Sequence, residues 1–235
     1  MRVLRSSLLV ALLTGAFTAG ITAALAVLVP GDAQASVSIA VGYVALVKDA
    51  DAVGVVTPVE SKTVWEEGRI VTYTRVKVDQ GVAGDLGTGS EGWVRTLGGV
   101  VGKIGQLVDG EPVFTPQKPS LLFMRKWKTG GTWEVSARAQ GQFPILVVSN
   151  GDAANAVAQR RVMRSTAVGM LLPPKPASTV VVGPAPVKTG PSGAADSVAQ
   201  VRLAGEVLHD RPLDEVARDI AASWKTLHPA TPSTK

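Results

Sequence analysis

The sequence predicts a mainly β fold, a small antiparallel barrel or sandwich with a short N-terminal helix and a C-terminal helical tail. Three observations carry this reading. Short β-branched or alternating runs recur between residues 52 and 162. Glycine-rich turns separate them, and few helical patterns lie between them.

Residues 1–35 read as a signal peptide. Arg2 and Arg5 precede an uncharged stretch over residues 6–31, and Ala33-Gln34-Ala35 follows as a small-x-small site. Cleavage would fall between Ala35 and Ser36. The stretch is also long enough to cross a bilayer, so an uncleaved anchor is the alternative. In both cases the rest is expected outside the cytoplasm, secreted or periplasmic or anchored facing outward, because the positive flank stays inside. A lipid-modified N-terminus needs a cysteine, and the chain has none.

Val41, Val44 and Leu46-Val47 suit one face of a short helix over residues 38–49. Residues 52–59 are a β-branched run expected as a strand buried on both faces. Residues 65–68 read as a turn tipped by Glu66, Glu67 and Gly68. Residues 69–79 alternate, Ile70, Thr72, Thr74, Val76 and Val78 on one side, Arg69, Val71, Tyr73, Arg75 and Lys77 on the other. Residues 81–92 are a glycine-rich connection and residues 93–97 a strand. Gly98, Gly99, Gly102, Gly105 and Gly110 exclude a helix after it, at about 1 kcal/mol each against Ala. Further strands are expected over 121–124, 133–137 and 143–149. Asn150-Gly151 signals a hairpin returning over 156–162, although 153–164 also suits a helix.

The β-rich domain is therefore expected over residues 36–170. A Pro/Gly-rich linker over 171–195 and short helices with a disordered end over 196–235 complete the chain. Residues 196–208 and 212–224 are the two helices, and Leu213, Val216, Ile220 and Trp224 form one stripe. Asp210 is placed to cap the second, with Pro212 in its first turn. Isolated helices of this length are marginal, so they should dock on the β domain or on a partner, or fray.

Residues 51–143 resemble a group of uncharacterised exported bacterial proteins. The resemblance is carried by Ala50-Asp51-Ala52-Val53-Gly54-Val55-Val56, Gly68-Arg69-Ile70-Val71-Thr72, Gly98-Gly99 and Gly110-Glu111-Pro112-Val113-Phe114. Leu121-Leu122-Phe123 and Gln140-Gly141-Gln142-Phe143 continue it. It implies a shared domain and no particular reaction. Strand order and length are also similar to the oligomer-binding (OB) barrels, including the netrin-like domains of metalloprotease inhibitors. There an N-terminal Cys grips the protease zinc. This chain has no Cys, so only the architecture is implied.

Composition narrows the chemistry. The absence of Cys excludes disulfides, thiolate catalysis and Cys-ligated zinc. The formal charge of +5 is spread along the chain, which suits a solvated surface and not nucleic-acid binding. The cluster Gly98 to Gly105 is no phosphate loop, since Leu97 and Ile104 occupy positions that need Gly and Ser or Thr. Only His209 and His228 offer imidazole, and no nucleophile elbow accompanies them. No metal or other cofactor is expected.

Trp65 and Trp127, with Arg75 and Arg125, are the candidate ligand-binding residues, because they stand beside charges near turns. The expected function is non-catalytic binding of an envelope protein, a peptide or a glycan. The alternatives are a secreted hydrolase with a carboxylate-based site and a membrane-anchored structural envelope protein. Convergence of Glu66, Glu67, Glu111 and Glu134 in one pocket, with a carboxylate partly buried, would raise the enzyme reading; scatter over the surface would leave binding ahead.

Overall fold

A computed structural model describes residues 37–127, 131–150, 157–174 and 201–229. The leader with its Ala35/Ser36 junction, the Gly151 turn, the greater part of the linker and the final residues lie outside the described residues.

Strand β1 (Val37–Ile39) and helix α1 (Tyr43–Asp49) open the domain. The long strands β2 (Ala52–Glu66) and β3 (Arg69–Gly84) follow, then β4 (Glu91–Leu97). Strands β5 (Gly99–Val101) and β6 (Ile104–Gln106) form a small separate hairpin. Next come β7 (Ser120–Lys126), β8 (Thr132–Val135), β9 (Gln142–Asn150), β10 (Val157–Val162) and β11 (Met170–Leu172). Helix α2 (Ala204–Leu208), the short β12 (Arg211–Pro212) and helix α3 (Leu213–Leu227) complete it.

The protein is mainly β, around a mixed sheet in the order β12-β10-β9-β7-β2-β3-β4-β8. Strand β8 pairs on its far side with β7, antiparallel. The expected all-antiparallel arrangement is corrected at two places, where β4 and β8 pair in parallel and β1 and β11 pair in parallel. Neither parallel pair is joined by a hairpin, so no turn signal in the sequence announces it.

The β2–β3 hairpin shows local chemistry at work. Glu66 and Arg69 are Cα partners across a two-residue loop. Glu67 and Gly68 both take positive φ, 51° and 77°. That is the turn whose twist matches the flanking strands, and glycine enters it without a Cβ penalty. The alternation expected over 69–79 is present, with Ile70, Thr74, Val76 and Val78 buried. The strand runs on to Gly84, past the connection expected from residue 81.

Two clusters of buried side chains share the sheet. The first joins Leu46 and Val47 of α1, Val53 and Val55 of β2, Leu121 and Phe123 of β7 and Phe143 of β9 to the C-terminal helices. Phe123 and Phe143 meet edge to face, centroids 6.0 Å apart. The second joins Val56, Val76, Val78, Val94, Leu122, Met124 and Val135. Successive residues of β7 thus feed opposite clusters, the pattern of a strand covered on both faces. In β2 the same alternation sends Val53 and Val55 to the first cluster and Val56 to the second, and its register against β3 shifts at Val53/Gly54, Val55/Val56 and Pro58/Glu60.

The C-terminal helices dock on the β domain. Leu208 of α2 and Leu213, Val216 and Ile220 of α3 are buried in the first cluster, and Trp224 packs at its edge. Burial of each large aliphatic contributes about 1.5–3 kcal/mol. Three sequence expectations need correction here. The first helix is confined to residues 43–49, because residues 37–39 pair with β11. Of the helix expected over 196–208, only Ala204–Leu208 is helical among the described residues. Asp210 does not cap α3, which starts after Pro212 with no side-chain cap. Asp210 instead sits at φ 56° and accepts Arg161 Nε at 2.8 Å. Among the described residues no helix is long and apolar enough to cross a membrane.

Candidate functional site

Strand register builds the site. Tyr73 of β3 lies opposite Arg95 of β4. Arg95 lies opposite Glu134 of β8, through the parallel pair, and Glu134 lies opposite Arg125 of β7. A single rung therefore crosses four strands. The alternating neighbours Val94, Val135 and Met124 face the second apolar cluster, so the rung stands on the other side of the sheet. Glu66 reaches over it from the β2–β3 hairpin.

The carboxylates and guanidinia interlock. Glu66 Oε1 accepts Arg95 Nη2 at 2.9 Å and Nε at 3.2 Å, while its Oε2 accepts Tyr73 Oη at 2.5 Å. Glu134 accepts Arg125 Nη2 at 3.1 Å and stands 3.7 Å from Arg95 Nη1. Glu111 pairs with Arg138 at 3.3 Å and accepts the Leu97 N–H at 3.0 Å. The Arg95 guanidinium lies over the Trp127 ring, 4.4 Å from its centroid. Arg95, Glu111 and Glu134 retain only 10%, 11% and 16% of their side-chain exposure.

These groups surround a cleft of about 300 Å³, completed by Glu67 and Arg69 of the hairpin. Its lining includes Arg69, Arg95, Arg125 and Arg138 against Glu66, Glu67, Glu111 and Glu134, a formal balance of zero.

The carboxylates converge, as the enzyme reading requires. Glu66 is tuned in another direction. The Tyr73 hydroxyl, and then Arg95, hold the Glu66 carboxyl below its ordinary value. Burial, then the Glu66 carboxylate, pushes the Tyr73 phenol up. A general acid needs the opposite, a carboxyl raised toward neutral pH. Among the described residues no group of His, Asp and Glu side chains is arranged to hold a metal ion.

Of the four residues singled out from the sequence, the fold brings two together. Arg125 and Trp127 both line the cleft. Arg75 projects on the same face one step along β3, but sits between Glu60 at 2.9 Å and Glu91 at 2.5 Å, outside the cleft. Trp65 is 52% exposed and pairs with Ile70, on the opposite face of the hairpin. Period-2 alternation separates it from Arg75. Arg95 and Tyr73 were not candidates. Their alternation with buried neighbours is legible in the sequence, but their partners come from β8 and the hairpin.

Comparison with protein-family models, with curated proteins and with solved structures finds no match for this chain.

Proposed function

We propose that this chain is an exported, non-catalytic binding domain whose site is the Glu/Arg/Trp127 cleft, and that its ligand is a neutral glycan. One observation carries the reading: the most buried charges of the cleft, Arg95, Glu111 and Glu134, each already have an ion-pair partner. A ligand therefore need not bring charge to neutralise them. A charged ligand that engaged Arg95, Glu111 or Glu134 would have to part an existing pair, leaving a buried charge uncompensated. Guanidinium offers five N–H donors and carboxylate about four acceptor sites, so paired groups still have capacity for hydroxyls. Vicinal diols match that mixture, and Trp127, one face of which carries the Arg95 guanidinium, adds aromatic surface to the cleft for the sugar's C–H groups.

Topology supports the same reading by analogy. Strands β2, β3, β4, β8 and β7 pair in a ring in that order. This is the strand order of an OB barrel, and the cleft lies where the first hairpin and the last connection meet. OB domains take oligosaccharides and oligonucleotides there. A cleft of balanced charge offers little attraction to phosphates, which disfavours nucleic acid. Export rests on the leader.

The test is a titration of the purified protein with neutral oligosaccharides, followed by tryptophan fluorescence. Saturable binding that Trp127→Ala weakens at least tenfold is expected. Absence of binding across a broad neutral panel, or binding indifferent to Trp127→Ala and Arg125→Ala, overturns the reading. The convergence of Glu111 and Glu134 favours hydrolysis as a second reading; it predicts oligosaccharide cleavage abolished by Glu134→Gln or Glu111→Gln.

A further inference from the structure

A second and larger cavity, of about 460 Å³, opens among the β1–α1 connection, β9, the β10–β11 segment and α2. Its wall is formed mainly by Val41, Phe143, Val168, Leu171 and Leu203. Polar side chains that reach it from within are already occupied. Gln140 bonds the Val41 N–H and the Ile39 carbonyl. Gln142 bonds both backbone groups of Val113, and Ser165 bonds Gln142 and the Ala167 N–H. Among the described residues no buried side-chain polar atom of this lining lacks a partner, which leaves the apolar part of the wall suited to an apolar guest.

Its mouth has a different character. Arg164 is exposed there and makes no ion pair among the described residues. The Arg164 backbone N–H donates to His209 Nδ1 at 3.1 Å. The proton of the neutral imidazole then lies on Nε2, a second donor at the same rim. Glu206 is the one carboxylate lining the mouth, and it opposes an anion.

We propose that this cavity binds a single-chain alkyl carboxylate, the chain lying along Val41, Phe143, Leu171 and Leu203 and the head meeting Arg164 and His209. The volume falls within the roughly 300–1,000 Å³ usual for small-molecule sites. An apolar interior with one cation, Arg164, and an imidazole donor at its entrance selects an amphiphile over a uniformly polar or uniformly apolar ligand. This site is separate from the charged cleft and does not depend on the reading given to it.

The test is calorimetric titration of the purified protein with octanoate, decanoate, dodecanoate and their matched alcohols, below their micelle concentrations. Affinity should rise roughly fourfold per methylene, the free energy of burying one CH₂. Each acid should bind at least tenfold tighter than its alcohol. Arg164→Ala should abolish that difference while leaving the alcohol's affinity unchanged, which also certifies that the variant is folded. Glu206→Gln should strengthen acid binding, and Leu171→Trp, which fills the cavity, should remove acid and alcohol binding alike with the far-UV spectrum unaltered. No dependence on chain length overturns the cavity assignment. Equal affinity for acid and alcohol in the unaltered protein overturns the head-group assignment.

Discussion

The Gln142 side chain grips both backbone groups of Val113: Nε2 donates to the carbonyl at 2.7 Å, and Oε1 accepts the N–H at 3.0 Å. Gln142 is 1% exposed at the start of β9. Its amide substitutes for a missing neighbour strand and pins the segment that carries Glu111 into the cleft. Gln142→Leu removes both bonds and strands two backbone groups. A loss of about 2–3 kcal/mol is expected, read from urea unfolding with the denaturant slope unchanged. A loss under half of that would mean that water replaces the amide.

Arg95 holds two carboxylates. Arg95→Met should cost about 2 kcal/mol, below the 3–5 typical of a fully buried pair, because Glu66 keeps 28% of its exposure. Arg95→Lys should recover only part of that, since an ammonium cannot present the planar fork or lie flat on Trp127. Equal stability of the Lys and Arg forms would show that charge alone matters there.

Acid should expose the same network. The folded-state value of Glu66 is depressed, so its stabilisation is present above the ordinary value of 4.5 and is lost as pH falls through the lower folded value. Melting curves from about pH 6 to about pH 3 should show the gap between the unaltered protein and Glu66→Gln closing below that point. Tyr73 has the opposite sign: its pKa is raised, so its contribution persists below the ordinary value of 10.0 and fades as pH rises through the higher folded value. A gap between the unaltered protein and Tyr73→Phe that narrows only in strong alkali is the matching result. A pH-independent gap for Glu66→Gln would refute the link.

Helix α3 is part of the core. Ile220 is fully buried against the sheet, and Ile220→Ala should cost about 2–4 kcal/mol. Removal of residues 201–235 would expose Val53, Phe123, Phe143 and Val162 on one face. Thermal unfolding of that shortened chain should lose cooperativity. A sharp transition near the original midpoint would make the tail an accessory.

Much of the fold is legible in the sequence. The alternation over residues 69–79, the β-branched run of β2 and the Leu213-Val216-Ile220 stripe all appear as read. Each is a local period that a backbone imposes on any chain it carries. The site was half legible. Charge and aromatic character mark Arg125 and Trp127 in the sequence, but Trp65 and Arg75 share only those residue types with them, not their place. Two residues ten apart on a hairpin can stand on opposite faces, as Trp65 and Arg75 do.

What the residues determine unaided is which segments extend, which coil, and which chemistry is absent: a chain without Cys carries no thiolate. Long-range register belongs to the folded state. Arg95 meets Glu134 only because β4 and β8 run side by side in parallel, thirty-nine positions apart in sequence. No local period encodes that alignment; it is selected where Val94 and Val135 of the two strands enter the same apolar cluster.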